Sequence, residues 1–163
     1  MGKKIKLLVV DDEERFLKTL SERLSLRDFD VTPVSDGMSA LEAAENQSFD
    51  VALVDLKMPG LSGEELLKIL KEKHPFIEVV ILTGHGSIDS AVQCTQLGSH
   101  GYLQKPAETE ELLDVLKNAY QQRVKKKLAL DDENMNRLLS SVTGESPLSI
   151  LKRLKDLEAE RSR

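Results

Sequence analysis

Asp11-Asp12, Asp55 and Thr83 each stand directly after a short apolar run, and Lys105-Pro106 follows close behind another. Three carboxylates, a hydroxyl and an ammonium group make a set suited to phosphoryl chemistry, provided that folding brings them together. Two carboxylates ~5 Å apart at an effective dielectric of ~20 repel by roughly 3 kcal/mol, so three share a site only with a cation. A hard divalent ion suits an all-oxygen set, and Mg²⁺ typically takes a carboxylate or two and keeps several waters. Such an ion neutralises the oxygens of a phosphoryl group in transfer. A carboxylate is itself a nucleophile able to accept that group. Lys105 offers a mobile point charge to its oxygens, and Thr83 a hydroxyl donor.

The elements that must position these residues are legible as alternating patterns. Strand candidates are residues 5–10, 30–34, 51–54, 77–82 and 101–103, and the first, third and fourth are nearly continuous in Val, Ile and Leu. Such runs suit parallel strands covered on both faces. Between them lie helical stripes: Phe16, Leu17, Leu20 and Leu24; Ala40, Leu41 and Ala44; Leu66, Leu67 and Leu70. Ser62 followed by Glu65 has the form of a capping box and marks the start of the third helix. Asp36-Gly37 and Leu97-Gly98 punctuate turns. The alternation predicts an α/β fold, a doubly wound, five-stranded parallel sheet of (βα)5 type. The common order for such a sheet is 2-1-3-4-5, with the ligand site at the carboxyl ends of strands 1 and 3. In that order the chemical residues of runs one, three, four and five converge on one edge.

Bulk properties narrow the class. The chain has 163 residues, 40% apolar and 31% charged, with a formal charge of −5. Residues 1–123 hold 14 basic against 21 acidic side chains, whereas residues 124–163 hold 9 against 7. An acidic main body argues against nucleic-acid binding by this chain alone. The single cysteine, Cys94, precludes an intramolecular disulfide and fits a reducing compartment. No apolar run approaches the ~20 residues that span a bilayer, and the N-terminus lacks a signal-peptide core. A cytoplasmic protein without membrane contact is expected.

"VVDDE" (9–13), "VDLKMPG" (54–60), "ILTGHG" (81–86) and "YLQKP" (102–106) stand in the order and spacing of a known family. The chain resembles the receiver domain of two-component response regulators over residues 4–122. That resemblance implies that Asp55 accepts a phosphoryl group from the phosphohistidine of a histidine kinase. It implies Mg²⁺ as cofactor, bound directly by Asp12, Asp55 and the backbone carbonyl of Lys57, with Asp11 acting through water. Lys105 and Thr83 would contact the phosphoryl group, Thr83 and Tyr102 would form the switch pair, and the bond to Pro106 would be cis. His85 and Lys57 would flank the entry to the phosphate. "LTGHGS" (82–87) resembles receivers of enhancer-binding transcription activators, whose ATPase and helix-turn-helix modules are missing here.

Taken singly, each motif has a plainer reading. Asp11-Asp12 suits a helix cap, Asp55 a turn before Pro59-Gly60, Thr83-Gly84 turn chemistry and Lys105-Pro106 a loop; the joint pattern makes these readings improbable. Tyr102 suits packing beside the fifth strand as well as switching. His74 and His100 read as solvent-facing loop residues, Cys94 as inert packing on the fourth helix, and no Cys/His spacing suggests zinc. Other enzyme classes fail on absences. No G-x-G-x-x-G follows strand one, no P-loop is found, and Leu56-Lys57 after Asp55 breaks the D-x-D of dehalogenase-type hydrolases. The expected role is a signalling receiver that catalyses only its own phosphorylation and dephosphorylation.

The receiver should end near residue 122, leaving 123–163 as a helical extension. Leu116, Tyr120, Val124, Leu128, Met135, Leu138 and Val142 continue a stripe that Asp131 interrupts. An extended fifth helix of this kind suits pairing with a second copy as a short coiled coil. A homodimer through helix 4, strand 5 and helix 5 is the other arrangement open to such a chain. Lys127 and Asp131 are spaced for an i,i+4 ion pair. Gly144 should break the helix, and Ser146-Pro147 should start a final one carrying Leu148, Leu151, Leu154 and Leu157. One helix of that size is too little for a DNA reader. Three functions therefore stand open: a phosphorylation-controlled switch of protein contacts, the receiver and linker of a transcription activator, and a phosphorelay intermediate.

Overall fold

A computed structural model describes residues 3–143, 152, 154–156, 158 and 159. Elements alternate throughout: β1 (Ile5–Val10), α1 (Glu14–Ser25), β2 (Phe29–Val34), α2 (Gly37–Asn46), β3 (Val51–Val54), α3 (Gly63–Lys73), β4 (Glu78–Thr83), α4 (Ile88–Gln96), β5 (Gly101–Gln104) and α5 (Thr109–Thr143). The strands form one parallel sheet in the order β2-β1-β3-β4-β5, the common order expected for a sheet of this kind. Four strand limits differ from those expected, β5 running one residue further than 103, to Gln104. β2 begins at Phe29, which is buried and pairs with Ile5. β4 begins at Glu78, because the Ile77 amide donates to the His74 carbonyl, and it runs on to Thr83, which pairs with Gln104 of β5.

Strand alternation divides the core into two halves. Leu7, Val9, Val51, Leu53, Val80 and Leu82 face α1 and the first turns of α5. Leu8, Val10, Ala52, Val54, Val79 and Ile81 face α2, α3 and Cys94 of α4. Both faces of the central strands are thus covered, which is why runs one, three and four carry no polar alternation. Burial pushes the Cys94 thiol up to about 11, so the group packs as a small hydrophobe.

Caps set the helix starts. Asp36 accepts the Ser39 amide at 2.7 Å to open α2. Ser62 and Glu65 form the expected capping box on α3, and Ser87 with Ser90 does the same for α4. Gly60, at φ +78°, supplies the left-handed turn after Pro59. Gly63 answers a different need. Its amide donates to the Leu56 carbonyl at 2.8 Å, and a Cβ there would lie 2.2 Å from the Asp55 carbonyl oxygen and 2.6 Å from Leu56 Cα.

The chain falls into two compact units, Met1–Val124 and Lys125–Arg163. α5 is a single long helix. Leu112, Leu113, Leu116 and Ala119 are buried, whereas Leu128, Met135 and Leu138 are exposed. Arg137 and Glu133 form an i,i+4 ion pair on it. Lys152, Leu154–Asp156, Glu158 and Ala159 are helical; Gly144, Ser146, Pro147, Leu148, Leu151 and Leu157 lie outside the described residues.

Gly63→Ala is expected to destabilise the fold by about 1–3 kcal/mol, as overpacking against backbone does, measured by urea unfolding. An unchanged midpoint would show that the α3 start has room the geometry denies.

Candidate functional site

The parallel ladder lays the floor of the site. The Asp55 amide donates to Val10 O at 3.0 Å, the Asp11 amide to Val34 O at 3.2 Å, and the Lys105 amide to Thr83 O at 2.8 Å. Each strand tip is tied to its neighbour, and the peptide that carries Lys105 on to Pro106 is cis. Asp11, Asp12 and Asp55 thereby each present a carboxylate oxygen within 4.8 Å of the others. Asp11 and Asp55 are each 3% exposed and Thr83 is fully buried, while Asp12 faces solvent.

Lys105 reaches into this cluster. Its Nζ donates to Asp11 Oδ2 at 2.6 Å and lies 3.6 Å from Glu13 Oε1 and 4.0 Å from Asp55 Oδ2. It also sits 4.0 Å from the centroid of the Phe16 ring, whose π face favours a cation. Backbone amides fix the other carboxylate oxygens: Glu13 N–H donates to Asp11 Oδ1 and Leu56 N–H to Asp55 Oδ1, both at 2.9 Å. Thr83 Oγ1 accepts the His85 amide at 3.1 Å. Burial raises the Asp55 carboxyl above its ordinary value; Lys105 and the Thr83 hydroxyl oppose that rise, and the neighbouring Asp11 adds to it.

Asp12, Lys57 and His85 line one open depression of about 560 Å³ beside this cluster, with Met58 and Ser62 at its wall. Tyr102 is half-buried on β5, packed against the α2–α4 half of the core, with its hydroxyl 2.7 Å from Ser90 Oγ. The residues singled out from sequence therefore gather at one edge, except Tyr102, which lies on the α4 side. A set of crowded carboxylates with only oxygen donors fits a hard divalent cation such as Mg²⁺.

Three participants were not legible as such. Glu13 reads only as the tail of an acidic run, Phe16 only as part of the α1 core stripe, and Ser90 as a plain helical serine. His100, expected to face solvent, is instead partly buried, with Nδ1 4.0 Å from a carboxylate oxygen of Glu78. Glu78 is itself 1% exposed, and no periodic signal marks a glutamate that opens a buried strand.

The raised Asp55 carboxyl has a thermodynamic consequence. Its protonated form is favoured in the folded state, so ionisation weakens the fold as pH rises from the ordinary aspartate range through the folded value. Without magnesium at neutral pH, Asp55→Asn should therefore melt a few degrees higher than the parent chain. The gap should shrink towards acid pH and on adding Mg²⁺, as thermal melts across pH would show.

Residues 7–117 match the family described as the response regulator receiver domain. The DNA-binding transcriptional regulator NtrC of Escherichia coli strain K12 is 32% identical over 142 residues, covering 85% of this chain and 29% of its own length. The regulatory protein LuxO of Vibrio cholerae is 33% identical over 128 residues, covering 78% of this chain and 28% of its own. This chain thus spans under a third of the length of these relatives. A crystal structure of a response regulator receiver domain protein from Clostridium thermocellum superposes with a TM-score of 0.69 at 35% identity, covering 76% of this chain and 98% of that one. With the sheet order, the acidic edge and this match in agreement, the chain belongs to the response regulator receiver family of two-component signalling.

Proposed function

We propose that this chain accepts a phosphoryl group on Asp55 from the phosphohistidine of a histidine kinase and thereby switches its protein contacts. The observation that supports this reading is the meeting of the Asp11, Asp12 and Asp55 carboxylates within 4.8 Å, with Lys105 Nζ beside them. Asp12 and Asp55, with the Lys57 backbone carbonyl, would hold Mg²⁺, and Asp11 would hold it through water. The ion's charge would offset the carboxylates and the phosphoryl oxygens. An Asp55 carboxylate oxygen attacks phosphorus, the P–N bond to the donor imidazole breaks, and the imidazole leaves with the bonding pair. Lys105 then meets a phosphoryl oxygen as a point charge, and the Thr83 hydroxyl donates to another.

The change is read out on the α4 side. Drawing the Thr83 hydroxyl onto the phosphoryl group leaves room for Tyr102 to settle inward beside it. A hydrogen bond to a charged group contributes roughly 1.5–3 kcal/mol, which shifts a two-state ratio about 10- to 150-fold. The surface beside it carries Ile88 at 84% and Val92 at 51% exposure, one helical turn apart on α4. That face is the contact surface of this reading.

The relatives NtrC and LuxO carry regulatory names, NtrC that of a DNA-binding transcriptional regulator, which supports a transcription regulator's receiver and linker as the wider setting. Val124, Leu128 and Met135 on α5 are exposed at the spacing of a helical seam, with Asp131 at the seam position between the last two. Such a seam pairs with a second copy weakly, because facing aspartates oppose it.

Two measurements test this. Incubated with acetyl phosphate and Mg²⁺, the parent chain should take up one base-labile phosphoryl group and Asp55→Asn none; uptake by Asp55→Asn would move the acceptor elsewhere. Asp131→Leu should strengthen self-association by about tenfold in sedimentation, as an added buried leucine does; unchanged association would remove α5 as the pairing surface.

A further inference from the structure

Tyr102 is held at its hydroxyl end as well as along its ring. The phenol oxygen lies 2.7 Å from Ser90 Oγ, and a Cβ on Gly86 would come within 2.8 Å of the same oxygen. The ring end therefore sits in a slot with a glycine on one side and the first turn of α4 on the other.

Ser90 belongs to the cap of α4. Its Oγ accepts the Ser87 amide at 3.0 Å and lies 3.0 Å from the Ser87 carbonyl oxygen. The Ser90 amide in turn donates to Ser87 Oγ at 3.0 Å. A hydroxyl has one proton and two lone pairs, and a carbonyl can only accept. The Ser87 hydroxyl also lies 3.1 Å from Ser90 Oγ, so the Ser87 amide, the Ser87 hydroxyl, the Ser87 carbonyl and the Tyr102 hydroxyl all meet at this one oxygen. Either hydroxyl can donate in the Ser90–Tyr102 bond, and the Tyr102 O–H joins the same hydrogen-bond ring that starts α4.

We propose that Ser90 is a positioning residue for the switch, its hydroxyl latching Tyr102 against the N-terminal cap of α4 in the arrangement that the phosphoryl group selects. The inference rests on the phosphoacceptor reading and adds the link from β5 to α4. Tyr102 leaves its slot only by giving up this bond, and the cap then loses its third partner. The first turn so held carries Ile88, and Val92 lies one turn on. The state of the acidic edge is thereby read by the part of α4 that displays apolar side chains. The Ser90 hydroxyl bonds to Ser87 and Tyr102, so it acts on the acidic edge through Tyr102.

The test is a double-mutant cycle on the full chain, with beryllofluoride as the phosphoryl mimic and Mg²⁺ present, read by calorimetry. Ser90→Ala and Tyr102→Phe should each weaken beryllofluoride affinity by about 2- to 12-fold, the equivalent of one neutral hydrogen bond. The double variant should be no weaker than the weaker single one. Ser90→Thr, which keeps the hydroxyl, should restore affinity. Tyr102→Phe leaves both cap serines in place, so its loss cannot be laid to a frayed helix. Losses that multiply in the double variant, or a Ser90→Ala affinity equal to the parent's, would overturn the latch. A parent chain that binds beryllofluoride normally would leave the phosphoacceptor reading standing in that event; a parent that fails to bind it overturns both.

Discussion

The ammonium group of Lys105 stands between two buried anions, 2.6 Å from Asp11 and 4.0 Å from Asp55. Folding an α/β sheet whose strand tips carry crowded carboxylates is opposed by their mutual repulsion, and the opposition grows as water is excluded. Lys105 relieves it from the far side of the sheet. It can do so because its own backbone is bonded to Thr83 at the tip of β4 and its side chain rests against Phe16 of α1. The lysine therefore links the ends of β1 and β3 through its charge and the end of β4 through its backbone amide. Helix α1 is drawn into the same arrangement through Glu13 and Phe16, although neither is at a strand tip.

Around that charge the two halves of the core have different duties. The half beneath α1 and α5 is built from large aliphatic side chains of β1, β3 and β4 and backs the lysine side of the site. The half beneath α2, α3 and α4 holds the smaller Ala40, Ala44, Ala52 and Cys94 together with Tyr102. A polar phenol can sit on this second half because Ser90 gives its hydroxyl a partner, which an apolar slot alone would not.

The architecture was legible because its signals are periodic or terminal. Continuous Val/Ile/Leu runs marked the doubly covered strands, and Ser62 with Glu65 marked the α3 cap. The acidic edge was legible for a related reason: in a parallel sheet all carboxyl ends lie together, so residues following separate runs become neighbours without any contact being known. What escaped depends on side-chain direction. Phe16 has the spacing of a core residue and is one, yet its ring also faces a cation. Ser90 satisfies a cap and a tyrosine from one oxygen, and composition gives no hint of either. His100 and Glu78 meet at the opposite end of the strands, where the turn brings a histidine against a buried glutamate. Strand limits shifted at Phe29, Glu78, Thr83 and Gln104, where backbone pairing rather than hydropathy decides.

The clearance at Gly63 bears on where this molecule can yield. With the α3 start pressed against the Asp55–Leu56 backbone and bonded to it, the β3–α3 shoulder has no slack: a displacement at Asp55 would have to carry a whole capped helix with it. The β4–α4 shoulder is joined to its neighbours through hydroxyl groups instead, at Thr83, Ser87, Ser90 and Tyr102, which exchange partners by a bond rotation. Compliance is thus lopsided, and a disturbance applied at the acidic edge spends itself on the α4 side because the other side is too stiff to take it.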